Sequence, residues 1–171
     1  MRRSGRVVVA VLLACAAASP PAAAEPQRVL NGTVAYVVDG DTLAVKDLQG
    51  DLVTVRLAGI DSPEKAWEGR WGSQAFSASA TRFATALAAG KEVTVRLAPD
   101  ESHGRAVGEV FVDGRSLNRE LVRAGLAWWN RKYEPYDYDL KRLEAAARAA
   151  RTGLWSERDP VPPWRHRQPG R

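Results

Sequence analysis

Asp41, Arg56, Asp61, Glu64 and Arg105 have the side-chain types and the spacing for work on a phosphodiester. Asp41 closes the run Val-Asp-Gly-Asp (38–41). Arg56, Asp61 and Glu64 share Val-Arg-Leu-Ala-Gly-Ile-Asp-Ser-Pro-Glu (55–64), and Arg105 ends His-Gly-Arg (103–105). Carboxylates of this kind hold a hard divalent cation and steer a water. Paired guanidiniums match the forked geometry of a phosphate and oppose charge that grows on it, each such donor contributing about 3–4 kcal/mol. Taken singly, each feature has a plainer reading. Asp39-Gly40 is an ordinary hairpin turn, Glu64 a solvated loop acid, and Arg56 a surface residue on a half-buried strand. Their combination in one stretch favours chemistry. An EF-hand is excluded, because Leu43, Ala44 and Gly50 stand where that loop needs a ligand, a glycine and a glutamate.

The elements that must position these residues are legible as strands and helices. Residues 33–38 and 41–46 are β-rich and split by Asp39-Gly40. Residues 52–57 alternate, with Val53, Val55 and Leu57 on one face and Arg56 on the other. The loop from Gly59 to Gly72 carries Asp61 and Glu64. Phe76, Ala80, Phe83 and Leu87 recur at helical spacing until Gly90. Val93, Val95 and Leu97 then begin a fourth strand, and residues 106–112 a fifth. Ser116 can cap a short helix ending before Gly125, and a last helix spans about Asp137 to Arg151 with a Glu144–Arg148 pair. This order predicts an α+β domain: a five-stranded barrel of the oligonucleotide-binding (OB) type with three α-helices. Trp128 and Trp129 are expected to point one inward and one toward the groove, and Trp155 to plug the core.

The two ends differ from the middle. Residues 1–24 combine a basic start, an apolar run from Val7 to Ala18 and Ala-Ala-Ala at 22–24, the pattern of an export signal cleaved after Ala24. Leu-Leu-Ala-Cys (12–15) also fits lipidation at Cys15, which would anchor the chain at the cell envelope instead of releasing it. Cys15 is the single cysteine, so a chain starting at residue 25 has neither a disulfide nor a thiolate metal site. The formal charge of +5 loses Arg2, Arg3 and Arg6 with the leader, and the tail holds the remaining excess. Residues 25–158 are neutral overall, so attraction to phosphate must come from locally placed arginines. The domain is read as residues 25–158, followed by a Pro- and Arg-containing tail, 159–171, expected to be disordered.

Taken together, Val-Asp-Gly-Asp-Thr (38–42), the 55–64 run, Gly-Arg (104–105), Asn-Arg-Glu-Leu-Val-Arg-Ala-Gly-Leu-Ala (118–127) and Gly-Leu-Trp (153–155) resemble the staphylococcal nuclease family over residues 28–158. The resemblance implies a Ca²⁺ ion held by the carboxylates of Asp41 and Asp61 and the backbone carbonyl of Ser62. Glu64 would activate or orient the water. Arg56 and Arg105 would clamp the phosphate, and Arg105 would assist the departing 5′-oxygen. Tyr133 matches a family tyrosine beside the nucleotide, with core packing as the alternative. His103 stands where the family often has an aromatic residue. The implied activity is a secreted Ca²⁺-dependent endonuclease, monomeric and sequence-tolerant on DNA and RNA, that breaks the P–O5′ bond and leaves 3′-phosphates. The competing class is a non-catalytic OB-type nucleic-acid-binding module, against which the presence of all three carboxylates argues.

Overall fold

The computed structural model describes residues 28–70, 72–99 and 102–168. The expected leader with Cys15 lies outside the described residues, as do the last three residues of the tail.

The barrel is built from β1 (Val29–Asp39), β2 (Thr42–Asp47), β3 (Leu52–Leu57), β5 (Glu92–Leu97) and β6 (Ala106–Val112). Between β3 and β5 lie a two-residue strand, β4 (Ile60–Asp61), and helix α1 (Ser77–Ala88). Neighbouring strands run in the order β3-β2-β1-β5-β6 and pair antiparallel. Parallel pairing of β3 with β6, Val55 opposite Ala106 through Leu57 opposite Gly108, closes the ring. Closure leaves no long edge for another chain to extend. Strand β1 serves both neighbours: residues 29–33 pair with β5 and residues 32–39 with β2. Two register irregularities in β1, at 34–36 and 37–39, give it the bend a small barrel needs.

The interior is filled by Val34, Leu43, Val45, Val55, Val95 and Val110, all essentially inaccessible. Branched side chains at alternate positions suit a pleated wall buried on one side. Helix α1 lays Ala80, Ala84 and Ala88 against the core, with Phe83 and Leu87 half-buried beside them. Helix α2 (Leu117–Arg123) is capped by the Ser116 hydroxyl, which accepts the Arg119 N–H at 3.3 Å; Ser116 itself belongs to the short strand β7 (Arg115–Ser116). After the two-residue strand β8 (Trp128–Trp129), helix α3 (Tyr138–Ala149) starts on Asp137, whose carboxylate accepts the Leu140 N–H at 2.9 Å. The observed fold is the expected α+β barrel with helical additions.

Three details depart from expectation. Trp128 and Trp129 are both buried, rather than one facing a groove. The reason is that β8 pairs with β4 between two apolar clusters: Trp129 enters the main core, and Trp128 packs with Trp155 and Ala147. Glu144 is itself buried: one oxygen accepts the Trp129 N–H at 3.2 Å, the other faces Arg148, and Arg148 lies over the Trp155 ring at 3.7 Å. The tail, expected to be disordered from residue 159, packs back on the domain through residue 167. There a short helix, α4 (Pro163–His166), buries Pro163 and sets Trp164 edge-on to Trp128 at 5.6 Å. Two apolar residues anchor a segment whose prolines and arginines otherwise read as solvated.

Candidate active site

The site is assembled where β1 turns into β2 and where β3 runs into β4. The turn at Gly40 needs a glycine for space: a Cβ there would lie 2.6 Å from the Ala80 Cβ and 2.7 Å from the Ser62 Cβ. This close approach of turn, loop and helix brings Asp41 against Ser62, whose backbone N–H donates to Asp41 Oδ2 at 2.6 Å. The backbone carbonyl of Asp41 in turn accepts the Leu57 N–H at 2.8 Å, fixing the turn to β3.

Arg56 rises from β3 on the face opposite the buried Val55 and Leu57. Its guanidinium bridges the two acids, Nη1 to Asp41 Oδ1 at 2.5 Å and Nη2 to Asp61 Oδ1 at 2.6 Å. Asp41 and Asp61 are 2% and 0% exposed, so these are desolvated carboxylates whose charge has to be met inside the protein. Burial raises the Asp41 carboxyl from its ordinary 3.8 to about 7; Arg56 opposes this, while Asp39 and Asp61 add to it. Burial works against the Arg56 charge, but Asp41 and Asp61 outweigh it and hold Arg56 above its ordinary value. The cost of burying charge therefore shows at Asp41, with the neighbouring acids adding to it.

Glu64, half-buried in the loop after β4, is held through its backbone. Its N–H donates to the Gln74 side-chain oxygen at 2.9 Å, and its carbonyl accepts the Gln74 N–H at 2.9 Å. Its carboxylate meets Arg167 of the tail, which also binds both oxygens of Asp61, at 2.8 and 3.1 Å. The fold thus brings Asp41, Arg56, Asp61, Glu64 and Ser62 together. Arg167 and Gln74 were missed. No local motif announces either; Trp164 was the sole trace of an anchor near Arg167.

Arg105 stands outside the ion pairs of this cluster. It closes a turn with Ser102, accepting the Ser102 N–H at 2.9 Å, and its Nε donates to the Ser102 carbonyl at 3.3 Å. Because Ala106 is the partner of Val55, Arg105 flanks the strand that carries Arg56. Tyr133 is exposed in the loop after β8, with Lys132 Nζ 5.4 Å from its ring centre, which removes core packing as its role. His103 is exposed at a positive φ of 53°, its Nδ1 3.1 Å from the Ser102 hydroxyl.

The donor set suits a hard cation: three carboxylates, two of them buried, stand against the two guanidiniums of Arg56 and Arg167, and every donor is oxygen. Among the described residues, no three acidic, histidine or cysteine side chains converge into a ready cage. An ion here would sit on Asp41, Asp61 and backbone oxygen, with water completing its shell.

The family model described as "Staphylococcal nuclease homologue" matches residues 54–157. An uncharacterized endonuclease of Escherichia coli O157:H7 is 43% identical over 145 residues, covering 81% of this chain and 87% of its own. The Escherichia coli protein ParB is 34% identical, covering 93% of this chain and 89% of its own. A micrococcal nuclease of Shigella flexneri is 32% identical, covering 81% and 80% respectively. With the barrel, the paired acids on Arg56 and Glu64 tied to them, these similarities establish that the chain belongs to the staphylococcal nuclease family.

Proposed function

We propose that the protein is an exported, Ca²⁺-dependent endonuclease that hydrolyses phosphodiester bonds of DNA and RNA without sequence preference. The observation that supports it best is the joint burial of Asp41 and Asp61 on Arg56, with Glu64 tied into the same charge cluster. A merely structural ion pair gains little from an excess of buried acid. A site that takes up a cation and a phosphate needs that excess.

When bound, the cation supplies Lewis-acid polarisation of a phosphoryl oxygen. The remaining chemistry belongs to the chain. Glu64 orients the attacking water and accepts its proton as the new P–O bond forms; the water oxygen stays on phosphorus and yields a 3′-phosphate. The P–O5′ bond breaks, and the departing oxygen takes a proton with help from Arg105. Arg56 and Arg105 oppose the charge that grows on the phosphoryl oxygens during attack. Exposed Tyr133 offers a face on which any base can stack, which is sequence-tolerant. Export follows from the leader pattern of residues 1–24, with lipid anchoring at Cys15 as the alternative fate, and the protein is proposed to act as a monomer.

The test is cleavage of single-stranded DNA and of RNA by wild type and Glu64→Gln, each with Ca²⁺ or with a chelator. Cleavage is expected to need both Ca²⁺ and Glu64, falling about 10²- to 10⁴-fold in the variant while binding persists. Near-normal turnover by Glu64→Gln would remove Glu64 from its role. Binding without cleavage by the folded wild type would leave the binding-module reading.

A further inference from the structure

The last described stretch of the chain does not hang free. After the 3₁₀ turn at Gly153–Ser156 it returns across the loop that carries Asp61 and Glu64. Gln74 Nε2 donates to the Val161 carbonyl at 2.8 Å, and Pro163 is buried. Trp164 stands against Trp128, and His166 Nε2 lies 2.7 Å from the Gly72 carbonyl oxygen. Together these contacts deliver the Arg167 guanidinium onto both carboxylate oxygens of Asp61 and one of Glu64. Gln74 also holds the Glu64 backbone, so one side chain connects the water-activating loop to the tail.

We propose that residues 160–167 form a strap that closes the site, in which Arg167 and the divalent cation compete for Asp61 and Glu64. This rests on the cation reading above. With Arg56 on Oδ1 and Arg167 on both oxygens, three of the roughly four lone-pair sites of Asp61 are taken, and the charge of the second guanidinium repels an ion. Arg167 keeps about a third of its side chain exposed, at 32%, and the strap is anchored by one tryptophan, one proline and a few hydrogen bonds. Such a latch opens reversibly. The apparent affinity for the cation is then the intrinsic one reduced by the fraction of molecules with the strap released.

The test is calorimetric titration of Ca²⁺ into chelator-stripped wild type, Arg167→Gln, Trp164→Ala and Arg165→Gln. Arg165 is exposed and makes none of the ion pairs to Asp61 or Glu64, so Arg165→Gln removes the same charge from the strap and leaves those contacts in place. Trp164→Ala loosens the anchor and leaves the arginine in place. Arg167→Gln is expected to bind Ca²⁺ roughly five- to fiftyfold more tightly than wild type. Trp164→Ala should shift in the same direction, and Arg165→Gln less than twofold. Equal affinity in wild type and Arg167→Gln overturns the strap and leaves the cation site standing. Equal gains in Arg165→Gln and Arg167→Gln overturn it in favour of net charge, and weaker binding by Arg167→Gln would make Arg167 a part of the site. Absence of Ca²⁺ binding in every form overturns both the strap and the cation reading.

Discussion

Asp41 is a carboxyl group whose burial costs stability whenever it is charged. Its folded-state value of about 7 lies above the ordinary 3.8, so between those limits the folded protein holds a proton that the unfolded chain has released. The stability this group contributes is complete below about pH 4 and is lost as pH rises through 7. Asp41→Asn in the metal-free protein is therefore expected to gain about 2–4 kcal/mol at pH 8 and little at pH 4, measured by chemical denaturation with a chelator present. A gain independent of pH would assign the effect to packing. The same substitution should abolish cleavage, since the amide has no charge to offer a cation. Arg105 predicts the opposite pattern. Its hydrogen bonds close only a local turn, so Arg105→Ala should lower kcat about 10²- to 10³-fold while stability moves by less than about 1 kcal/mol. An equal collapse of both would make Arg105 a structural residue. The acids and arginines at 41, 56, 61, 64 and 105 were readable because short motifs carry them in order. Arg167 was not, because its place depends on where a distant tryptophan docks.

Periodic patterns name the larger elements, and the smallest ones escape them. Val53, Val55 and Leu57 predict β3, and the alanines and phenylalanines of α1 predict a helix lying on the barrel. Strands β4 and β8 have two residues each, too few to show alternation, yet their pairing sets Asp61 opposite Trp128 and buries both tryptophans. Between these elements, Asn118 of α2 acts as a polar clasp. Its Oδ1 accepts the Val110 N–H at 3.1 Å, and its Nδ2 donates to the carbonyls of Ala58 at 2.9 Å and Gly108 at 3.3 Å. One side chain thus ties the helix to β6 and to the turn that launches β4, where Asp61 lies. Within the sequence Asn118 is simply part of a helical motif, and nothing there shows its partners. Asn118→Ala takes this partner from the Val110 N–H and the Ala58 carbonyl, while the Gly108 carbonyl keeps the Ala58 N–H at 2.8 Å, and is expected to cost about 2–4 kcal/mol. Thermal unfolding checks that cost. Cleavage measured well below the melting point should also fall, because the turn before Asp61 loses its hold. A loss below about 0.5 kcal/mol would mean that water replaces the clasp.

Charge over the whole molecule says how the protein must hold a polyanion. The excess positive charge sits in residues 1–24 and 159–171, and residues 25–158 balance to zero. A protein that binds by a broad basic surface releases many counterions, and its affinity collapses with salt; one that relies on a few placed arginines does not. Within the barrel, the phosphate contacts assigned here are Arg56 and Arg105, with stacking on Tyr133 carrying no salt dependence. About two contacts to a single strand give a log–log slope near −1.4. Binding of single-stranded DNA by Glu64→Gln, which arrests cleavage, should then weaken only about sevenfold between roughly 50 and 200 mM salt at constant Ca²⁺. Fluorescence anisotropy over that range measures the slope. A slope of about −4 or steeper would require cationic contacts beyond the site, with the arginines of the tail as the first place to look. In that event the strap would have two roles: covering the carboxylates while the site is empty, and gripping the strand once Arg167 has let go.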